Sequence, residues 1–133
     1  MAELPPKILF DTNFLLIPLR FGVDIFEEAE RVLNQPPECY VTRSVLKEIE
    51  QLKQGASPSF MKELSFAEKI AESCGVLDVE VEDGETVDES ILRTAREKRF
   101  IVGTTDAELR KRLREAGVKV LVLRQRRYLE LMG

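Results

Sequence analysis

Short apolar segments alternate with amphipathic segments along this chain of 133 residues. The apolar segments have the length and composition of buried β-strands, and they cover residues 7–10, 39–42, 76–81, 100–103 and 118–123. The amphipathic segments carry apolar residues every three or four positions, which predicts helices, over residues 24–34, 44–55, 59–74, 86–98 and 105–116. This order predicts an α/β fold in which helices cover both faces of a parallel sheet.

Polar residues at the starts of these segments support the predicted helix boundaries. Asp24 and Ser44 are suited to cap the first two helices. Residues 86–89 and 105–108 both have the spacing of a capping box, with Thr first and Glu fourth. Residues 55–59 (GASPS) predict a flexible turn. The length fits one domain, which we predict over residues 1–133.

The composition excludes several kinds of catalytic site. The chain has no histidine, so Ser-His-Asp triads, Cys-His pairs and His-ligated zinc are excluded. Its two cysteines, Cys39 and Cys74, are too few for a four-thiolate zinc site and are expected to be small buried side chains. No apolar run has the ~18 residues of a membrane span, and Asp11 interrupts any signal-peptide core. We therefore predict a cytoplasmic protein without a membrane partner, whose catalysis relies on carboxylates, lysines, hydroxyls or an oxygen-ligated metal.

Four acidic residues occur where a parallel sheet forms its sites, at the carboxyl ends of the strands. Asp11 directly follows the first strand, and Asp106 follows the fourth. Asp88 lies in the first turn of the helix before that strand, and Glu48 lies one turn into the helix after the second. Each has a structural alternative, because Asp stabilises helix N-termini and helical Glu is commonly solvated.

A cluster of these carboxylates is suited to hold a hard divalent cation. Neighbouring carboxylates repel one another unless a cation neutralises them. Oxygen ligands favour Mg²⁺ or Mn²⁺, and such an ion can activate water and polarise a phosphodiester without histidine. The sequence therefore indicates a metal-dependent phosphodiesterase as one interpretation and simple helix capping as the other.

Four blocks of sequence resemble the PIN-domain nucleases over essentially the whole chain. They are residues 8–13 (ILFDTN), residues 45–53 (VLKEIEQLK), residues 87–92 (VDESIL) with Ala95, and residues 102–110 (VGTTDAELR) with Gly117 and Val118. The resemblance implies a three-layer α/β/α sandwich around a central parallel sheet of about five strands. It also implies metal-dependent cleavage of RNA.

The same resemblance implies specific site residues. Matching positions make Asp11, Glu48, Asp88 and Asp106 the catalytic ligands of Mg²⁺ or Mn²⁺. Asn13, Thr104 and Thr105 are expected to support them, although many family members have Asn at the position of Thr105.

The block 45–53 and the basic C-terminus resemble archaeal relatives of ribosomal-RNA-processing PIN proteins more than toxins of toxin–antitoxin modules. The expected partner is accordingly RNA, in a ribosomal precursor, and the alternative is a toxin ribonuclease with an antitoxin protein. A PIN-like module that binds RNA or protein without cutting is a further alternative. A phosphoacceptor receiver domain is disfavoured, because residues 100–106 lack the lysine that it requires.

Charge is divided unevenly along the chain. Residues 1–92 carry a net charge of −11 and residues 93–133 a net charge of +7. Basic residues bind nucleic-acid phosphates without regard to sequence. The predicted RNA-binding residues are Arg93, Arg96, Arg110, Arg112, Arg114, Arg126 and Arg127. Residues 124–133 are predicted to form a basic C-terminal tail.

Two apolar residues raise the question of self-association. Phe60 and Met61 lie near the start of the helix predicted at 59–74. If they are exposed there, they favour a homodimer, and if they pack on their own domain, they carry no such implication.

Overall fold

The computed structural model describes residues 4–133, and its centre is a six-stranded sheet in the order β3-β2-β1-β4-β5-β6. The strands are β1 (Lys7–Phe10), β2 (Glu38–Thr42), β3 (Gly75–Leu77), β4 (Ile101–Gly103), β5 (Val120–Arg124) and β6 (Tyr128–Met132). The first five are parallel, and β6 is antiparallel to β5. The predicted α/β sandwich is thus confirmed, with six strands in place of about five.

Among the described residues, six helices flank this sheet. They are α1 (Ile17–Phe21), α2 (Ile25–Leu33), α3 (Arg43–Lys53), α4 (Pro58–Ala71), α5 (Val87–Lys98) and α6 (Ala107–Glu115). A 3₁₀ helix, Thr12–Leu16, joins β1 to α1. No helix among residues 4–133 is both long and apolar enough to cross a bilayer.

Two predicted helix caps are confirmed and two are wrong. Asp24 caps α2, and Thr86 and Glu89 form the complete capping box of α5. Helix α3, however, is capped by Thr42, because Ser44 lies inside the helix and donates to the carbonyl of Val79. The predicted capping box at 105–108 is likewise replaced by a cap from Asp106.

The predicted basic tail at 124–133 is not a free tail, because most of it forms β6. The backbone N–H of Leu129 donates to Oε1 of Glu28 on α2 (2.9 Å), and Arg31 donates to the carbonyl of Leu129 (3.0 Å). These contacts anchor a strand whose Leu129 is buried. The strand predicted at 76–81 is also shorter, since it ends at Leu77.

Other predictions concern the cysteines and the apolar start of α4. Cys39 and Cys74 are free and half-buried, and burial raises the pKa of their thiols to about 12 and about 11.

Phe60 and Met61 are half-buried, and Phe60 packs against the core. The homodimer remains a prediction.

Gly103 allows the segment after β1 to lie close to β4. A Cβ atom at this position would lie 2.9 Å from ring atoms of Phe14. Phe14 belongs to the 3₁₀ helix that follows Asp11, and its ring stacks on that of Phe10 with centroids 5.3 Å apart. Larger residues at 103 would therefore displace the ring of Phe14, in the segment that directly follows Asp11.

Candidate active site

The carboxyl ends of β1 and β4 meet where the strand order of the sheet reverses. From β1 the chain proceeds outward through β2 to β3, and it then returns to place β4 on the other side of β1. Phe10 is in register with Gly103, and the N–H of Asp11 donates to the carbonyl of Gly103 (2.9 Å). Parallel α/β sheets bind ligands in the crevice at such a reversal.

Asp11 is a buried carboxylate with only 3% of its surface exposed. Its Oδ1 accepts from the N–H of Thr12 (2.8 Å), and its Oδ2 accepts from the hydroxyl of Thr104 (2.9 Å). Burial, with smaller contributions from Asp88 and Glu48, raises the pKa of Asp11 to about 6, although both hydrogen bonds oppose the increase. A buried carboxylate that titrates near neutral pH is typical of functional sites.

Thr12 links the first acid to Glu48. The Thr12 hydroxyl donates to Oε1 of Glu48 on α3, and Thr12 itself is 5% exposed. This contact holds the Glu48 carboxylate beside Asp11 at the end of β1. The sequence pattern gave Thr12 no predicted role, although Thr12 lies within the block 8–13 that carried the resemblance.

Asp88 lies close enough to both Asp106 and Glu48 for their negative charges to interact with its own. It is half-buried in the first turn of α5. Burial raises its pKa, and so do the neighbouring charges of Asp106 and Glu48, whereas Arg112 lowers it. The structure therefore brings all four predicted acids to one edge of the sheet, each within electrostatic reach of at least one other.

Asp106 is oriented by the helix that it caps. Its Oδ1 accepts from the backbone N–H groups of Glu108 (2.8 Å) and Leu109 (3.1 Å), which leaves Oδ2 available to a ligand. Thr105, which stands where many family members have Asn, does not disturb this orientation of Asp106. The N–H of Thr105 donates to Oδ1 of Asn13 (2.9 Å), and the side chain of Thr105 makes no contribution to the cap.

Thr104 is the centre of the supporting hydrogen bonds. Its fully buried hydroxyl bonds with Asp11, lies 3.3 Å from Oδ1 of Asn13, and accepts from the N–H of Asp106 (3.1 Å). One hydroxyl thus contacts the groups that follow β1 and β4. Asn13 and Thr104 occupy the supporting positions that the resemblance implied.

Replacing Thr104 by Val is expected to raise the pKa of Asp11 further. The hydrogen bond from Thr104 stabilises the ionised carboxylate, so its loss favours the protonated form. Because a hydrogen bond to a charged group contributes about 1.5–3 kcal/mol, the midpoint moves upward by about one to two pH units. NMR titration of the Asp11 carboxyl carbon measures the change, with Thr104→Ser as the control. An unchanged midpoint in Thr104→Val would contradict the role of this hydroxyl.

The donor set fits a hard divalent cation in its chemistry. All four side chains offer carboxylate oxygens, which are the ligands that Mg²⁺ and Mn²⁺ prefer. Within residues 4–133, no three Asp, Glu, His or Cys side chains are already gathered tightly enough to enclose an ion. Closing around a cation would therefore require movement of the half-buried side chains Glu48, Asp88 and Asp106, since Asp11 is buried.

The structure separates the predicted RNA-binding arginines into different settings. Arg93 is bound to Glu85 by two hydrogen bonds (2.9 and 3.0 Å), and Arg112 lies 3.7 Å from Glu89. Arg110 lines a groove beside Asn13 and Thr104. The other four occupy other positions: Arg114 lies on α6, Arg126 and Arg127 lie at the turn after β5, and Arg96 lies near the opposite end of the sheet.

Comparison with known families identifies the fold. The family model described as "PIN like domain" matches residues 8–126, which is most of the chain. The chain belongs to the PIN-like domain family. Its four acids and their supporting residues all lie within the matched range.

One curated relative and several solved structures resemble this PIN-like protein. Ribonuclease VapC4 of Methanocaldococcus jannaschii is 32% identical over 133 residues, covering 96% of this chain and 97% of the relative. The PIN domain endonuclease Utp24 has a TM-score of 0.76 at 24% identity, covering 96% of this chain and 91% of that one. DNA-bound VapBC from Salmonella typhimurium has a TM-score of 0.60 at 18% identity, covering 88% and 98%. The solved structures establish similarity of fold.

Proposed function

We propose that this PIN-like protein is an endoribonuclease that cleaves RNA phosphodiester bonds with the help of Mg²⁺ or Mn²⁺. The observation that carries the proposal is the buried Asp11, whose pKa is raised to about 6 beside Asp88 and Glu48. The fold gains nothing from concentrating negative charge at this point, whereas a cation would neutralise it. The name of the 32% identical relative, a ribonuclease, supports RNA as the substrate.

The proposed roles follow from the contacts of each side chain. Asp11, Glu48, Asp88 and Asp106 would hold the cation. A bound divalent cation supplies a positive charge that polarises the phosphodiester and makes water a better nucleophile. Thr104 and Thr12 fix the rotamers of Asp11 and Glu48. Arg110, beside the acids, would bind a phosphate of the same strand.

Cleavage of RNA is expected to require Mg²⁺ or Mn²⁺. The purified protein should cut a single-stranded RNA when either ion is present, and excess EDTA should reduce the rate to background. Adding back Mn²⁺ beyond the chelator should restore activity. The assay follows fragments of a labelled RNA by gel electrophoresis. An unchanged rate in EDTA would reject the metal mechanism, and the absence of cutting under all conditions would favour a binding module.

The cellular role that we propose is processing of a ribosomal RNA precursor, as the resemblance of residues 45–53 suggested. The similarity to Ribonuclease VapC4 and to the VapBC assembly favours a second candidate, a toxin ribonuclease with an antitoxin partner. Purification of the tagged protein from its native cells separates the two. Precursor ribosomal RNA in the complex supports the first, and a small protein bound in equal amounts supports the second.

A further inference from the structure

Basic side chains without an ion-pair partner among the described residues surround α6 and continue beyond it. Other basic residues are neutralised within the fold, as Arg20 is by Glu63 and Arg93 is by Glu85. By contrast, no ion pair within residues 4–133 involves Arg110, Lys111 or Arg114 of α6. In a protein with a net charge of −4, these residues form a local positive surface.

A basic cleft lies at the end of the sheet opposite to the acids. It has a volume of about 510 Å³ and lies where β1 and β4 begin. Four of its lining residues are the cations Lys7, Arg96, Arg99 and Lys119, and among residues 4–133 no acidic residue lines it. These four also lack an ion pair within the described part of the chain. We call this feature the far cleft.

Two further grooves share lining residues with each other, and one of them also shares lining residues with the far cleft. The first groove lies beside Asn13 and Thr104 and includes Arg110. The second also includes Arg110 and passes Lys111 and Arg114 on α6. This second groove shares Gly117 with the far cleft. Because each groove shares a lining residue with the next, the three depressions follow one another from Asn13 and Thr104, beside the acids, to the far cleft. We call this series of depressions the path.

The charge and the surface of this path fit a polyanion. Cations occur along its whole length, and within the described part of the chain Glu115 is the acidic residue that lines it. Of the exposed large apolar side chains, Phe21 lines the groove beside the acids, and none lines the second groove or the far cleft. An amphipathic peptide would need such apolar anchors. A phosphate backbone needs spaced cations instead.

We propose that single-stranded RNA follows this path, with its scissile phosphate at the acids and its flanking nucleotides along α6, ending in the far cleft. The inference rests on the proposed ribonuclease function and specifies how its substrate is held. The nine residues of α6 extend for about 14 Å. A substrate must therefore be several nucleotides long to contact both ends of the path.

The test removes positive charge from the far cleft and compares a long RNA with a short one. Arg96 and Lys119 are both exposed, so the double variant Arg96→Glu/Lys119→Glu is expected to fold. The control Lys62→Glu/Lys69→Glu changes the net charge equally at exposed positions of α4. The substrates are single-stranded RNAs of about 20 and about 4 nucleotides. KM and kcat are measured for each protein with both RNAs.

In the far-cleft variant, the ratio of KM for the long RNA to KM for the short RNA should rise about tenfold. In the control variant this ratio should stay at the wild-type value. Equal ratios in both variants, or an equal loss for both RNAs, would overturn the proposed path.

A binding measurement keeps the inference separate from the catalytic proposal. Fluorescence anisotropy with the 20-nucleotide RNA, without divalent cations, follows affinity whether or not the protein cuts. In a plot of log affinity against log salt concentration, the slope of the far-cleft variant should be less negative than that of the wild type. The difference should be about 0.7 for each RNA phosphate that the variant no longer neutralises. An unchanged slope and affinity would contradict the path even if cleavage by the wild type were established. A shallower slope and weaker binding in the far-cleft variant, together with no cleavage by the wild type when Mg²⁺ or Mn²⁺ is present, would support the path and reject the nuclease.

Discussion

Replacing Asp11 by Asn is expected to reduce RNA cleavage by at least about 100-fold while the protein stays folded. Loss of a group that only orients a metal ligand already reduces function by about 10–100-fold, and loss of the ligand itself should cost at least as much. The fold tolerates Asn because its side-chain oxygen can still accept from Thr12. The Thr104 hydroxyl can accept from the new amide and donate to Asn13, 3.3 Å away.

Asp24→Asn provides a matched control for this variant. Asp24 also begins a helix, and its Oδ1 accepts from the N–H groups of Phe26 and Glu27 (both 3.0 Å). Unlike Asp11, however, it is exposed, and its charge does not contribute to the raised pKa of Asp11. Since Asn caps helices about as well as Asp, this variant should cut at the wild-type rate. Cleavage by Asp11→Asn at the rate of Asp24→Asn would show that Asp11 is merely structural.

The second expected result concerns stability without metal. The folded pKa of Asp11 is about 6, above the ordinary value of 3.8. Its protonated form is therefore favoured by folding, and the associated stability is fully present below pH 3.8 and lost as the pH rises through 6. At neutral pH the ionised group costs about 3 kcal/mol. The raised pKa of Asp88 acts in the same direction.

Comparison of the wild type with Asp11→Asn isolates this contribution. In EDTA, the stability advantage of the variant should grow by about 1 kcal/mol between about pH 5 and about pH 7, because only the wild type ionises. Urea unfolding at each pH measures the difference, and Asp24→Asn again serves as the control. Saturating Mn²⁺ should reverse the order at neutral pH by stabilising the wild type alone. A pH-independent difference would contradict a buried, destabilising carboxylate at position 11.

The positions of the acids explain how the fold holds four carboxylates at one edge of the sheet. Asp11 and Asp106 follow two adjacent parallel strands, so their main chains are held by the sheet itself. Asp88 lies on helix α5, and Glu48 lies on helix α3. Their repulsion is tolerated because the rest of the sheet is apolar and buried, including Ile8, Leu9 and Val102. Such a scaffold allows a locally unfavourable cluster to persist.

Helix and strand order could be predicted from the sequence because it depends on local periodicity and caps. The five parallel strands and helices α2 to α6 correspond to segments that alternate in apolar pattern. Two of the errors occurred where a nonlocal contact changed a local preference. Thr42 caps α3 in place of Ser44, because Ser44 bonds to Val79, which is distant in sequence. Residues 128–132 look like a charged tail until α2 and β5 provide their partners.

The sequence by itself determined that the site has no histidine, that four acids lie beside strand ends and helix starts, and that the fold is α/β. It could not determine which basic residues are free, because Arg93 and Arg112 differ from Arg110 only in the acids that the fold places beside them. It also could not reveal the contact of Thr12 with Glu48, which are 36 positions apart. Periodicity and capping act over a few residues, whereas burial, pKa and ion pairing depend on neighbours that only the tertiary structure brings together.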